Sequence, residues 1–109
     1  MNKDESGSLF RLTMSDWTRD KIRKLYHRSV VLGVRLEFVQ SMLEIEKALR
    51  TIPRTWGDPI ANLTGLQMTR YHRLYGNLIL HYSVHVEQPV VWLVHIEPTR
   101  RSQLWIGEG

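Results

Sequence analysis

The sequence predicts a two-layer α+β domain in which two helices cover one face of an antiparallel sheet. Apolar residues recur at helical spacing in the first half of the chain, alternate with polar residues in the second half, and Gly or Pro separates these segments. The expected element order is β-α-α-β-β-β. We expect a single domain over residues 9–105, a disordered tail at 1–8 and a short C-terminal tail at 106–109.

Composition excludes several classes of protein and of site. A chain of 109 residues suits one domain, and the absence of cysteine excludes disulfides, thiolate metal sites and thiol catalysis. No run approaches the ~20 apolar residues of a membrane helix, and the polar N-terminus is unlike a signal peptide. We therefore expect a soluble, cytoplasmic protein with no membrane partner. Its net charge of +4 permits an anionic partner.

Alternation and a capping signal predict the first strand and the first helix. The segment LFRLTM places Phe10 and Met14 on one side of a short strand, which is expected at the sheet edge. Ser15 is the expected N-cap of a helix that runs to about Val31. This helix is the most basic segment of the chain. Its charges form either a solvated face or a contact for RNA, DNA or an acidic protein segment.

A second helix and a strand are predicted after Gly33, which marks a bend. The apolar stripe of this helix consists of Phe38, Met42, Ile45 and Leu49. Pro53 ends the helix because its ring cannot continue the hydrogen-bond ladder. Residues 53–65 contain two prolines and two glycines and predict a loop, with Trp56 holding it to the core. Residues 68–75 form the next strand, followed by a turn.

Residues 78–96 form the hairpin around which the sheet is organised. Its even-numbered apolar residues are Leu78, Leu80, Tyr82, Val84 and Val86 in one strand, and Val90, Trp92, Val94 and Ile96 in the other. Both sets share the core face only if the loop is odd, such as 87–89. That register pairs Val86 with Val90 and places His81 opposite His95, with Cβ atoms roughly 5 Å apart. A two-residue loop is the alternative, with a poorer apolar match.

A series of short motifs resembles the RelE/ParE superfamily of bacterial toxins from toxin–antitoxin modules. Over about residues 9–105, the matching segments are ALRTIPRTWGDPI, LTGL, TRYHRLYGN, LILHYSV, VVWLVHI and TRRSQLW. The resemblance implies a toxin with an antitoxin partner. It implies either cleavage of mRNA on the ribosome without a metal or other cofactor, as in the RelE branch, or inhibition of DNA gyrase, as in the ParE branch. A non-toxic orphan or interaction protein of the same fold is the third reading.

The resemblance carries over to the strands only in part. Arg73, or alternatively Arg70, corresponds to the arginine expected on the strand before the hairpin. Tyr82 corresponds to the second tyrosine of the family's YRxxYxV motif, but Ile79 stands where that motif has its arginine. This departure favours a toxin directed at gyrase or at another target, or a degenerate one, as alternatives to a ribonuclease.

The C-terminal motif also differs from that of the cleaving members. Arg100 or Arg101 corresponds to the C-terminal arginine of the resemblance, and Trp105 stands in place of the tail tyrosine. An indole can stack on a nucleobase, but it has no acidic hydroxyl.

The histidines give a prediction of chemistry that does not depend on the resemblance. His81, His85 and His95 project from the mixed face of the hairpin, and His72 lies on the neighbouring strand. A His81–His95 pair can transfer protons near neutral pH, as acid–base cleavage of RNA requires; otherwise these are ordinary, partly exposed residues. Zinc is not expected, because His81 and His85 lie about 13 Å apart along a strand. The predicted site comprises His81 and His95 as acid–base groups and Arg70, Arg73, Arg100, Arg101 and Trp105 as nucleic-acid ligands, with no metal.

Overall fold

Two long helices pack on a five-stranded sheet in the computed structural model, which describes residues 9–105. The strands are β1 (Arg11–Met14), β2 (Asp58–Leu63), β3 (Met68–Tyr75), β4 (Leu78–His85) and β5 (Val90–Pro98). The helices are α1 (Asp16–Val31), α2 (Arg35–Thr51) and the short α3 (Pro53–Trp56), and a 3-10 turn covers Thr64–Leu66. The predicted α+β class is confirmed. The predicted tails at 1–8 and 106–109 lie outside the described residues.

The sheet has the order β1-β5-β4-β3-β2. Strands β2 to β5 form an antiparallel meander, whereas β1 runs parallel to β5 at the edge. The edge position predicted for β1 is therefore confirmed. Within residues 9–105, no helix is long and apolar enough to cross a membrane.

Local signals set the bounds of the two long helices. The Ser15 hydroxyl accepts a hydrogen bond from the Thr18 amide at 3.1 Å, which confirms it as the N-cap of α1. Gly33 has a φ of +77°, a left-handed conformation that glycine adopts without steric cost, and the chain turns there into α2. The helix α2 ends at Thr51, just before Pro53.

The core lies between the helices and one face of the sheet. Leu25, Phe38, Ile45 and Leu49 come from the helices, and Leu80, Tyr82, Val84, Val91, Leu93 and Ile96 come from the central strands. Because the helices cover only this side, the residues that alternate with the strand set lie on the opposite side of the sheet. We call this opposite side the open face.

The segment 53–65 is more ordered than the predicted loop. It contains α3, the edge strand β2 and the 3-10 turn. The loop prediction was wrong because five of the six residues of β2 are exposed, so the strand has no buried alternating pattern to reveal it. A register shift between Pro59 and Ala61 further interrupts its pairing with β3. An edge strand tolerates both a proline and a bulge.

The buried Tyr82 hydroxyl anchors this segment to the core. It donates a hydrogen bond to the Pro53 carbonyl at 2.7 Å and accepts one from the Gly57 amide at 2.8 Å. Burial raises the pKa of Tyr82 far above its usual range, so the phenol stays protonated and able to donate. Trp56 packs against the same ring, with centroids 6.1 Å apart, which confirms that it holds the segment to the core.

A β-bulge at Val94 divides the hairpin into two registers. On the turn side, Tyr82 pairs with Leu93; on the other side, His81 pairs with His95. Val94 is the extra residue between them, and it shifts the pairing by one position. The predicted His81–His95 pairing is therefore confirmed, although the odd register holds for only part of the hairpin.

The bulge also corrects two predictions about the turn side. Val86 does not pair with Val90; its amide donates to the Gln67 carbonyl at 2.9 Å. Trp92 was expected on the core face, but it is 42% exposed, because one extra residue in β5 reverses which side chains point inward. Leu93 takes the core position instead.

Replacing Gly57 by alanine is expected to destabilise the fold by about 1–3 kcal/mol, because the neighbouring atoms must move to make room for the added methyl group. A Cβ at this position would lie 2.7 Å from both the His72 carbonyl oxygen and the Tyr82 hydroxyl oxygen. Urea denaturation followed by circular dichroism measures the change. Gly65→Ala is the matched control, since a Cβ there meets no atom within 4 Å. Equal stability of the two variants would contradict the close packing at Gly57.

Candidate active site

Three histidines lie side by side across the open face. The sheet register pairs His72 with His81 and His81 with His95, so one residue from each of three adjacent strands falls in a single row. The ring centroids are 6.3 Å apart for His72–His81 and 6.1 Å apart for His81–His95. We call these three residues the histidine row. It brings together both of the predicted acid–base residues.

A carboxylate lies at each end of the histidine row. On the β2 side, Asp58 Oδ2 is 3.8 Å from His72 Nε2. On the β5 side, Glu97 Oε1 is 3.3 Å from His95 Nε2, so these two groups form an ion pair whenever His95 is protonated. Trp17 of α1 stacks on His95 with ring centroids 6.0 Å apart. His95 therefore has a fixed orientation, between an indole and a carboxylate.

A second row runs beside the first. Arg70, Ser83 and Trp92 are paired across β3, β4 and β5, and Arg70 Nε donates to Ser83 Oγ at 2.9 Å. This bond aims a guanidinium along the open face toward the middle of the sheet. The exposed Trp92 ring provides an aromatic surface in the same row. Cations and aromatic rings on one face suit contacts with phosphates and bases.

The central histidine has a perturbed pKa. Burial lowers the pKa of His81 below its ordinary 6.5, and the positive charges of His95, Arg70 and His72 lower it further; only Glu97 opposes them. The cause is general: a partly desolvated imidazole among cations resists taking up a proton. His81 is therefore neutral at physiological pH, with a lone pair free to accept a proton.

The structure separates the two arginines of β3. Arg70 lies beside His81, whereas Arg73 is on the helix-covered side of the sheet. The Arg73 guanidinium lies 4.9 Å from the Trp56 ring centroid, and its Nη1 donates to the Trp56 carbonyl at 2.8 Å. These contacts give Arg73 a role in holding the segment before β2.

The predicted C-terminal residues do not join the two rows as a group. Arg100 lies over the Trp105 ring, with its guanidinium carbon 5.7 Å from the centroid. Arg101 lines a different depression, of about 270 Å³, beside the Gly76–Asn77 turn. His85 lies outside the histidine row, and its Nδ1 accepts hydrogen bonds from two turn amides, those of Glu87 and Gln88.

Several residues of the site were not among those predicted. Ser83, Asp58, Glu97, Trp17 and Trp92 all border the predicted pair or the neighbouring His72. Parity along β4 places Ser83 on the face of His81, and parity along β5 places Glu97 on the face of His95, so both could have been found. The others depend on β2, on the bulge or on the position of α1, which the sequence pattern does not reveal. Among the described residues, no group of three or more His, Asp or Glu side chains is arranged to hold a metal ion.

Comparison with known proteins finds similarity in structure but not in sequence. No family model and no curated protein matches the chain. A solved structure described as the chromosomal ParDE TA system from P. aeruginosa contains a chain that is similar, with a TM-score of 0.56 and 13% identity, over 84% of this chain and 97% of that one. The fold is RelE/ParE-like.

A second solved structure, the archaeal RelE–RelB complex from Pyrococcus horikoshii OT3, is related more loosely. The TM-score is 0.43 at 20% identity, over 85% of this chain and 98% of that one.

The lowered pKa of His81 makes stability depend on pH. Below 6.5 the unfolded chain binds more protons at this residue than the folded chain does, so the free energy of unfolding rises with pH through this range. The contribution of His81 to the free energy of unfolding is complete above pH 6.5. It is lost as the pH falls through the lower pKa that His81 has in the folded state. Urea denaturation between about pH 5 and 8 is expected to show a flatter profile for His81→Asn than for the parent. Identical profiles would contradict the perturbation.

Proposed function

We propose that the protein is a toxin of a toxin–antitoxin pair and that it cleaves RNA without a metal ion. The observation that supports this most directly is the His81–His95 pair on the open face, with Arg70 beside it. RNA supplies its own nucleophile, the ribose 2′-hydroxyl, so cleavage needs only a base, an acid and a cation near the phosphate. His81, His95 and Arg70 on the open face are the candidates for these three roles.

In the proposed reaction, His81 is the general base and His95 the general acid. Neutral His81 takes the 2′-hydroxyl proton, and the 2′-oxygen attacks the adjacent phosphorus. The phosphorus–O5′ bond breaks, and His95 donates a proton to the leaving 5′-oxygen. The products are a 2′,3′-cyclic phosphate and a 5′-hydroxyl. The Arg70 guanidinium stabilises the negative charge that grows on the phosphate oxygens.

The assignment of base and acid follows from the surroundings of each ring. His81 is surrounded by cations, and its lowered pKa keeps the imidazole neutral. His95 lies beside the Glu97 carboxylate, whose Oε1 is 3.3 Å from His95 Nε2. The two rings therefore have different neighbours, which supports the division of acid and base roles between them.

Substituting either histidine by alanine is expected to reduce RNA cleavage by about 10²–10⁴-fold, the usual contribution of general acid–base catalysis. Cleavage of a single-stranded oligoribonucleotide by the purified protein measures the rate. Induction in a bacterial host is expected to arrest growth and degrade mRNA for the parent but not for His81→Ala combined with His95→Ala. His27→Ala, which removes an exposed histidine of α1, is the matched control.

Three outcomes separate this proposal from its alternatives. Growth arrest with intact mRNA and a DNA-damage response indicates gyrase inhibition, and arrest by the double variant removes both histidines from the mechanism. Unaffected growth on induction of the parent indicates an orphan or interaction protein.

The surface that best suits an antitoxin is a groove between α1 and α2. It has a volume of about 520 Å³ and a mainly apolar lining, which includes Leu12, Ile22, Tyr26, Met42 and Leu43. Strand β1 borders the groove and has no strand on its outer edge within residues 9–105. An amphipathic helix fits an apolar groove, and an extended segment can pair with a strand edge. Arg19, Arg23 and Arg50 also line the groove, and each pairs with a carboxylate of its own helix, so the apolar lining carries the argument for a partner.

Leu43→Asp is expected to abolish neutralisation by the antitoxin and to leave growth arrest intact. Leu43 is 60% exposed and lines the groove, so a carboxylate there would be buried unpaired against the partner's apolar surface, and the core is not disturbed. Co-expression with the product of the adjacent reading frame measures neutralisation. Leu36→Asp, at a 69% exposed position of α2 outside the groove, is the control. Equal neutralisation of both variants would place the antitoxin elsewhere.

A further inference from the structure

Helix α1 takes the place of a strand beside the second half of β5. Strand β1 pairs with β5 only as far as Met14, opposite Leu93. Immediately beyond, the Thr18 hydroxyl of α1 donates to the Val94 carbonyl at 3.0 Å. The basic helix therefore lies along the border of the open face, next to His95 and Glu97, where Trp17 already stacks on His95.

A cleft of about 170 Å³ lies at this border, between α1, the end of β5 and the C-terminal segment. Its polar and aromatic lining consists of Lys21, Lys24, Arg28, Glu97 and Trp105. Glu97 belongs both to the cleft and to the end of the histidine row, because its carboxylate is also the partner of His95. The cleft thus begins where the histidine row ends.

The charge of the cleft favours an anion. Three cations face one carboxylate, and that carboxylate already has His95 as a partner. Lys24 pairs with Asp20 at 3.3 Å, whereas Lys21 has no ion pair among the described residues. The Nε atom of Arg28 is buried and lacks a hydrogen-bond partner within residues 9–105. A buried donor of this kind is costly unless a ligand or water satisfies it.

The remaining wall of the cleft is apolar and is formed by Leu25, Pro98, Leu104 and the Trp105 ring. Trp105 is 36% exposed, and Arg100 lies over its ring. Cations beside an exposed indole bind the phosphate and the base of a nucleotide together. The volume is below that of pockets for drug-sized ligands and suits a single base or phosphate group.

We propose that this cleft is a second subsite for single-stranded RNA, which holds one nucleotide next to the cleaved bond. The base stacks on Trp105, and its phosphate contacts Lys21 and Arg28. This assignment rests on the proposed RNA cleavage for its ligand, and it explains why the most basic helix borders the histidine row. An acidic peptide would use the lysines but would have less need of an exposed indole.

Binding is measured by fluorescence anisotropy with a labelled single-stranded oligoribonucleotide of about ten nucleotides, within the usual span of such sites. All variants carry His81→Ala, so that the RNA stays intact during the measurement. Trp105→Ala is expected to weaken binding roughly 5- to 150-fold, the loss of one base stack, and Trp105→Phe to restore most of it. Lys21→Ala is expected to lower the slope of log affinity against log salt by roughly 0.7, the loss of one phosphate contact.

Lys47→Ala, which removes an exposed lysine of α2 outside the cleft, is the matched control and is expected to bind as the parent does. Affinities of Trp105→Ala and Lys21→Ala equal to that of the control would overturn the subsite. Binding that depends on Trp105, combined with undiminished cleavage when His81→Ala is the only change, would overturn the proposed catalysis and keep the subsite. An acidic peptide that binds through the lysines while RNA does not would also overturn it.

Discussion

The bulge at Val94 is the constraint on which the composition of the open face depends. Side chains alternate along an unbroken strand, so Trp92 and His95 could not otherwise share a face, nor could Leu93 and Ile96 both enter the core. One inserted residue resolves both requirements. It keeps the core continuous from one end of β5 to the other and adds an aromatic surface to the face that carries the histidine row. Bulges commonly occur next to functional sites for this reason.

Much of the fold could be predicted from sequence, because its buried elements carry strong patterns. The alternation in β4 and the stripe of α2 reflect burial of one face, and the Ser15 and Gly33 signals reflect local backbone geometry. Strand β2 could not be predicted, because its side chains are mostly exposed and only its backbone is paired. Alternation of apolar and polar residues reveals which side chains are buried. An exposed edge strand is stabilised by its backbone hydrogen bonds and shows no such alternation.

The candidate site could be predicted only where it depends on a single hairpin. The His81–His95 pair follows from the odd-loop register alone, since a shift of one residue would put the two side chains on opposite faces of the sheet. The choice between Arg70 and Arg73 could not be made, because β3 mixes aromatic, basic and apolar residues on both faces. The position of Arg73 depends on its packing on Trp56, and that contact joins residues 17 positions apart.

The Tyr82 phenol links the helical layer to one end of the histidine row. Its hydrogen bonds hold Pro53, which follows α2, and Gly57, which directly precedes Asp58. A ligand in the groove that displaced the end of α2 would either break one of these bonds or carry Asp58 along. The Tyr82 oxygen thus joins the end of the helical layer to the start of the edge strand, and the contacts of Trp56 and Arg73 reinforce the same junction.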